Sequence, residues 1–249
     1  MPPYLSIVIP AYNEEYAIRA GKLRQVQEWL HRQPYASELI VVNDESIDNT
    51  AALAQESASR VLHIRHAGKA AAVIAGIRAA QGQVVLFSDM DQATPINETP
   101  GLLAALAHGS DIAVGSRGVL RKGAPPGRYL LSWGQIILKS MLLGLRMTDT
   151  QCGFKAFYRE VALDVINHLV VYAPSRLGTL EGPSVTSGFD VEFLFVARRL
   201  GYKIREVPVQ WNYQQTSRIN LVRDSRRGLR DLLKIVLAKL TGEYKKPLR

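Results

Sequence analysis

The chain of 249 residues has a single cysteine, Cys152, so no disulfide can close within it and its thiol content does not call for an oxidising compartment. A cytoplasmic setting is expected. The run of about 20 mainly apolar residues that a membrane-spanning helix requires is also missing; uncharged stretches such as Thr99 to Ser110 are far shorter and are broken by Pro, Gly and His. Met1 leads directly into an apolar strand with neither a basic leader nor a cleavage pattern, which argues against a secretory signal. Internal repeats and low-complexity tracts are absent. At 47% hydrophobic and 21% charged residues the composition is that of a folded protein, and the length suits one sizeable core with an appendage.

Charge is unevenly placed. The formal net charge is +9, yet residues 198–249 hold 14 Lys or Arg against 4 Asp or Glu, a net of +10, which leaves −1 for the rest. A basic tail of this kind suits nucleic acid, anionic lipid or a phosphorylated ligand, and charge alone does not choose among them.

Short apolar runs bounded by turn formers predict strands at Leu5 to Pro10, Glu38 to Asn43, Val61 to Arg65, Val84 to Ser88 and Asp111 to Ser116. Segments of helical length lie between them, at Glu14 to Gln33, Asn49 to Arg60, Lys69 to Gln81 and Asn97 to His108. This alternation predicts an α/β fold, a mostly parallel sheet with helices on both faces. No GxGxxG follows the first strand, which disfavours a Rossmann dehydrogenase. Beyond Gly118 the alternation stops: Arg128 to Met147 reads as an amphipathic helix or helix pair, Ala173 to Gly188 as a loop, Asp190 to Leu200 as a helix and Lys203 to Val209 as a strand. The expected division is a catalytic domain over residues 1–220 and a basic amphipathic C-terminal helix and tail over 221–249. In that helix Leu229, Leu232, Leu233, Val236, Leu237 and Leu240 are expected to share one face, with Arg226, Arg227, Arg230 and Lys234 supplying positive charge, as in a helix lying at a membrane surface.

In parallel sheets ligands bind beyond the carboxyl ends of the strands, so the chemistry should sit there. The first strand delivers Ala11, Tyr12, Asn13 and Glu14, and the second Asn43, Asp44 and Glu45. Asp44 can accept hydrogen bonds from a base or ribose, or with Asn13 can cap a helix. Directly after the fourth strand stand Asp89-Met90-Asp91; two carboxylates one residue apart can converge on one magnesium or manganese ion, which would bridge a diphosphate and take up the charge of a departing nucleotide. Arg117 ends the next strand on the same rim, and Arg128 and Ser132 lie one helical turn apart. Two guanidinium groups and a hydroxyl suit a phosphate monoester.

The ordered segments VIPAYNEE, VVNDES, SDMD, VGSR, DTQCGFKAF and GFDVEF together resemble the family 2 glycosyltransferases, in particular the branch that makes polyprenyl (dolichyl) phosphate hexoses. The resemblance runs from about Leu5 to about Leu232. It implies a GT-A Rossmann-like fold, a nucleoside diphosphate sugar donor, a lipid phosphate acceptor and inverting transfer. Carried onto matching positions, it implies that Pro10, Ala11, Tyr12, Glu14, Val42, Asp44 and Lys69 meet the donor and that Asp89, Met90 and Asp91 hold the metal and diphosphate. Arg117, Arg128 and Ser132 would take the acceptor phosphate, and the pair Ser217-Arg218, with Lys155, would close over the site. The sequence departs from the family pattern in three places. VVNDES stands where VDDGS is preferred, GKAAAV replaces GKGGAV, and the Gln two residues beyond the DxD is missing, with Gln92, next to the DxD, as the candidate metal ligand in its place. DTQCGFKAF and the strand ending VPVQW look more like the glucosyl branch than the mannosyl one, favouring UDP-glucose over GDP-mannose.

A phosphate acceptor bears on the catalytic roles. Its second pKa of roughly 6 makes its oxygen nucleophilic without a strong base, so Asp190 and Glu192 in GFDVEF are expected to act by position and charge, on the metal-bound donor or a basic neighbour. Asp91, Asp190, Arg117 and Arg128 are the expected catalytic set, and Cys152 is expected only to pack. The rivals are a family 2 enzyme acting on a soluble or polysaccharide hydroxyl, and a nucleotide- or nucleic-acid-binding protein without turnover. The acidic pair disfavours nucleic acid, and the expected setting is peripheral, at the cytoplasmic face of a membrane.

Overall fold

A computed structural model of the chain describes residues 2–118, 138–180, 188–212 and 221–244, with only the backbone of 221–225. Among the described residues seven strands form one sheet: β1 (Leu5–Ala11), β2 (Ser37–Asn43), β3 (Arg60–His63), β4 (Val84–Ser88), β5 (Ile112–Ser116), β6 (Phe154–Tyr158) and β7 (Ile204–Pro208). Their order is β3-β2-β1-β4-β6-β5-β7. All pairings are parallel except those of β6, which runs antiparallel to β4 and to β5. Alternating side chains feed two cores, as strand geometry requires. Val8, Ile40, Val42, Val85 and Phe87 face one side, and Ile7, Ile9, Leu39, Val41 and Leu86 the other.

The helices cover both faces: α1 (Glu15–Arg19), α2 (Lys22–His31), α3 (Thr50–Gln55), α4 (Gly68–Ala79), α5 (Thr99–Ala107), α6 (Arg159–Asn167), α7 (Gly188–Arg199) and α8 (Leu221–Leu240). The single helix expected over Glu14 to Gln33 is two, because Gly21 at φ 78° takes the left-handed conformation that ends α1. Helix α4 lies unusually close to the sheet: a Cβ on Gly76 would stand 2.2 Å from Val8 Cγ1, so glycine there sets the approach.

Strand β6 and helix α6 fall on segments to which the sequence pattern assigns no element. The reversal of β6 has a direct result. Its first residue, Phe154, pairs with Ser88 at the end of β4, so the segment 149–153 joins the rim where β4 and β5 finish.

Helix α8 corrects the single apolar face expected of it. Leu232, Ile235 and Ala238 are buried in the core beneath, whereas Leu229, Leu233, Leu237 and Leu240 are 48%, 54%, 62% and 77% exposed. The reason is geometric: at about 100° per residue Leu232, Ile235 and Ala238 fall on the arc facing the core, while Leu229, Leu233, Leu237 and Leu240 cluster on the neighbouring arc facing away from it. Among the described residues no helix is long and apolar enough to cross a membrane.

Candidate active site

Strand β4 is buried throughout and stops at Ser88, where the chain turns and presents Asp89 and Asp91. Met90 between them is 3% exposed and packs into the core with Ile96 and Leu102, so it can meet a ligand only through its main chain. Asp89 forms a 2.6 Å ion pair with Lys69, from the first turn of α4. Burial works against that ammonium, yet Asp89, Asp190 and Asp91 together hold it above the usual lysine range. Asp91 accepts a 3.0 Å hydrogen bond from the Ala93 amide. Burial, and then the Asp89 charge beside it, push its carboxyl above the ordinary aspartate value, the direction expected of paired carboxylates short of positive charge.

Gly153, entering β6, cradles this turn. Its carbonyl accepts from the Asp89 amide at 3.1 Å, and a Cβ built on it would fall 1.9 Å from Asp89 Oδ2. Gln92 is held at φ 50° and buried. Its Nε2 donates to Ser88 Oγ and the Asp89 carbonyl, and its buried Oε1 has no hydrogen-bond partner among the described residues.

Behind the turn lies a second acid–base pair. Lys155 of β6 donates to Asp190 of α7 at 2.7 Å and to the Cys152 carbonyl. The ammonium groups of Lys69 and Lys155 lie 5.0 Å and 5.7 Å from the Phe87 ring centroid, so both cations share one aromatic neighbour. Lys155 therefore does not close over the site, as its place in the sequence suggests; it is 2% exposed and forms part of the floor, because β6 carries it through the middle of the sheet. Asp190 has a basic neighbour, and it is Lys155.

Glu192, two residues on, is turned away from this cluster. Fully buried, it accepts the amides of Val170, Val171 and Tyr172 and the hydroxyl of Tyr244. Desolvation and this carboxylate together drive the Tyr244 hydroxyl above its usual range. The expectation that Glu192 orients the donor is corrected: its four donors fasten the 170–172 turn and Tyr244, which follows α8, to α7. Glu192→Gln sets an amide NH2 against one of these donors and is expected to cost about 2 kcal/mol of stability, measurable by urea denaturation.

On the β5 side, Arg117 makes a two-pronged contact with Asp149, Nε to Oδ2 at 2.6 Å and Nη2 to Oδ1 at 2.8 Å, geometry that fixes the guanidinium plane. Its charge centre lies 5.7 Å from the Trp211 ring. Arg117, Trp211, Thr94, Cys152, Gly153 and Asp89 line one small pocket. Arginine and acidic turn thus face a common space. Cys152 is buried and its thiol pushed up by that burial, which fits packing rather than nucleophilic chemistry.

At the far end of the rim the donor-side residues separate into two groups. Val42 is fully buried and Ala11 2% exposed, because β1 and β2 lie inside the sheet; neither offers a side chain to a ligand here. Asp44, 3% exposed, is also committed: Oδ2 meets His66 Nδ1 at 2.8 Å and the Gly68 amide at 2.9 Å, and Oδ1 the Ala67 amide at 2.9 Å. It caps α4 and holds His66, whose ring stacks on Tyr12 at 4.1 Å and 14°. Pro10, Tyr12 and Glu14 remain partly open at the rim. Arg128, Ser132, Ser217 and Arg218 lie outside the described residues. Asp149, Gly153, His66 and Trp211 received no role from the sequence, although Asp149 and Gly153 stand inside DTQCGFKAF and could have been read from it.

Residues 6–165 match the pattern of glycosyl transferase family 2. The chain belongs to that family. Among its relatives are dolichyl-phosphate beta-glucosyltransferases of Trichomonas vaginalis, 32% identical over 97% of this chain and 76% of the relative, and of Homo sapiens, 30% identical over 97% and 77%. Solved structures of glucosyl-3-phosphoglycerate synthase from Mycobacterium tuberculosis share the fold. Its complex with UDP superposes with a TM-score of 0.66 at 22% identity, covering 94% of this chain and 80% of that one. Its complex with Mn2+, UDP and glucosyl-3-phosphoglycerate also gives 0.66, at 23% identity and the same coverage. The fold is the GT-A Rossmann-like type.

A divalent cation fits the acidic turn of this family 2 chain. Asp89 and Asp91 are hard oxygen donors one residue apart on one turn, and the buried Gln92 Oε1, with no hydrogen-bond partner among the described residues, is a third oxygen of the same class.

Proposed function

We propose that the chain transfers glucose from UDP-glucose to a polyprenyl or dolichyl phosphate, with inversion and with a divalent ion, at the cytoplasmic surface of a membrane. The observation that carries this reading is the single pocket shared by Asp89 and Arg117, in a chain about 30% identical to dolichyl-phosphate beta-glucosyltransferases over nearly its whole length. Asp89, Asp91 and Lys69 would hold the donor diphosphate, with magnesium or manganese taking ligands from the carboxylates and from Gln92. Such an ion supplies charge to the departing diphosphate. Pro10, Tyr12 and Glu14 would meet the nucleoside; Met90 would contribute main-chain contacts, Asp44 would act through His66, and Arg218 would close over the diphosphate.

Arg117, with Arg128 and Ser132, would hold the acceptor phosphate. One of its oxygens attacks the anomeric carbon, the bond to the β-phosphate oxygen breaks, and UDP departs with the electron pair. No proton has to leave the nucleophile, since a phosphomonoester is largely dianionic above a pKa of roughly 6. Asp190 then serves through Lys155 as a positioning residue. Asp190→Asn is expected to lower turnover about tenfold with an unchanged pH profile; a variant whose activity returns as pH rises would make Asp190 the base instead.

The exposed leucines of α8, with Arg226, Arg227, Arg230 and Lys234 exposed beside them, suit an anionic bilayer. Each basic residue near such a surface contributes about 1 kcal/mol, and each leucine more when it leaves water. Leu233→Gln with Leu237→Gln is expected to weaken binding to vesicles containing phosphatidylserine at least about tenfold, read by co-sedimentation, with turnover of a short, water-soluble prenyl phosphate unchanged. The reaction itself is tested by offering UDP-glucose or GDP-mannose, with Mn2+, to dolichyl phosphate. Glucosyl transfer from UDP-glucose to the lipid phosphate is expected; transfer only to hydroxyl acceptors, or none with any lipid phosphate, overturns the reading.

A further inference from the structure

We infer that Glu206 is a positioning residue for the acceptor phosphate, through a three-residue relay that ends on Arg117. This rests on the reading of Arg117 as a phosphate-binding group. Glu206 belongs to β7, next to β5, and pairs in register with Val114. Its carboxylate spends every described contact on two consecutive residues. The Thr148 amide donates to both oxygens at 3.0 and 3.1 Å, the Thr148 hydroxyl to Oε1 at 2.8 Å, and the Asp149 amide to Oε1 at 2.9 Å. Those two residues in turn frame Arg117. The Thr148 hydroxyl lies 3.1 Å from the hydroxyl of Ser116, the residue before it, and the Asp149 carboxylate takes the Arg117 amide at 3.2 Å as well as the two prongs of the guanidinium.

A long, freely rotating arginine gains directional value only when its plane is fixed before the phosphate arrives. Asp149 fixes the plane, but Asp149 sits on a segment, 144–153, that has no regular backbone ladder of its own. Glu206 anchors that segment from a strand: its carboxylate is a charged acceptor for the Thr148 and Asp149 amides and the Thr148 hydroxyl. The β5–β7 pairing is made by main chain, so it does not depend on this side chain.

The test is acceptor and donor kinetics of four variants with intact lipid phosphate and Mn2+: Glu206→Ala, Glu206→Gln, Arg117→Ala and the double variant Arg117→Ala/Glu206→Ala. Glu206→Ala is expected to raise the acceptor KM about tenfold and Glu206→Gln about threefold, with the KM for UDP-glucose unchanged. Adding Glu206→Ala to Arg117→Ala is expected to cost nothing further, because the relay has lost its target. Fully additive effects, or an acceptor KM within twofold of wild type for both Glu206 variants, overturn the relay. Equal losses on donor and acceptor also overturn it, since they would mark a merely structural residue. A normal acceptor KM for Arg117→Ala overturns the phosphate-clamp reading instead, so the two failures are told apart.

Discussion

Replacing Asp91 by Asn is expected to lower kcat/KM about a thousandfold with Mn2+ present, while the unliganded protein melts at a higher temperature than wild type at neutral pH. The first effect follows from the stabilisation of several kcal/mol that a cation lends to a departing diphosphate, at about 1.4 kcal/mol per factor of ten. Asn retains one oxygen but neither the charge nor the second lone-pair set of the carboxylate. The second effect follows from the direction of the Asp91 shift. Burial and the Asp89 charge raise its carboxyl, so the folded chain holds this proton more tightly than the unfolded chain does. Stability from this group is present at low pH and is lost as pH rises through the folded value. Asn has no charge to bury, so the loss disappears. The same shift has a functional side: the carboxylate must be unprotonated to bind a cation, so affinity for Mn2+ should decline on acidification, beginning above the range of an ordinary aspartate. Steady-state kinetics and thermal denaturation across pH check both arms; a variant that is inactive and also less stable would place Asp91 in the fold rather than at a cation.

The substitution Gly153→Ala is expected to reduce kcat/KM about a hundredfold without unfolding the protein. Gly153 does not have positive φ, so alanine is acceptable to the backbone and the effect is steric. Its methyl group would lie 1.9 Å from Asp89 Oδ2 and 2.4 Å from Asp89 Cγ. The carboxylate must move, and it cannot move without disturbing its 2.6 Å ion pair to Lys69. A displacement of about 1 Å at a reacting centre costs on the order of a hundredfold. The decisive measurement is Mn2+-dependent UDP affinity, which should weaken together with turnover. Full affinity and full turnover in Gly153→Ala would show that Asp89 has room the structure does not give it.

Both effects depend on a rim that was only partly legible in the sequence. Buried parallel strands announce themselves as unbroken apolar runs, so β1, β2, β4 and β5 and the acidic turn after β4 were readable within a residue or so. Strand β6 was not: FKAFY carries Lys155 in its middle, and the ion pair with Asp190 that permits a buried lysine joins residues 35 apart. For the same reason the sequence places Arg117 on the rim and Asp149 within DTQCGFKAF, but does not pair the two, which meet across 32 residues. The side chains of Val42 and Ala11 are buried, which the sequence does not tell, because a motif reports which strand reaches the site, whereas burial depends on which face of the strand each residue takes. In α8 the expected apolar stripe is broad enough to reach the core at its edge, so Leu232 is buried while Leu229, Leu233, Leu237 and Leu240 stay exposed, and the packing partners alone decide where that edge falls.

The proposal that Asp89 and Asp91 grip a nucleoside diphosphate through a divalent ion is tested most directly by calorimetric titration of UDP into the full chain, with and without Mn2+, alongside Asp89→Asn and Asp91→Asn. Binding that is strengthened at least about tenfold by Mn2+ in the wild type, and not at all in either variant, is the predicted result. UDP affinity indifferent to Mn2+ in the wild type, or equally enhanced by it in both variants, would contradict the account.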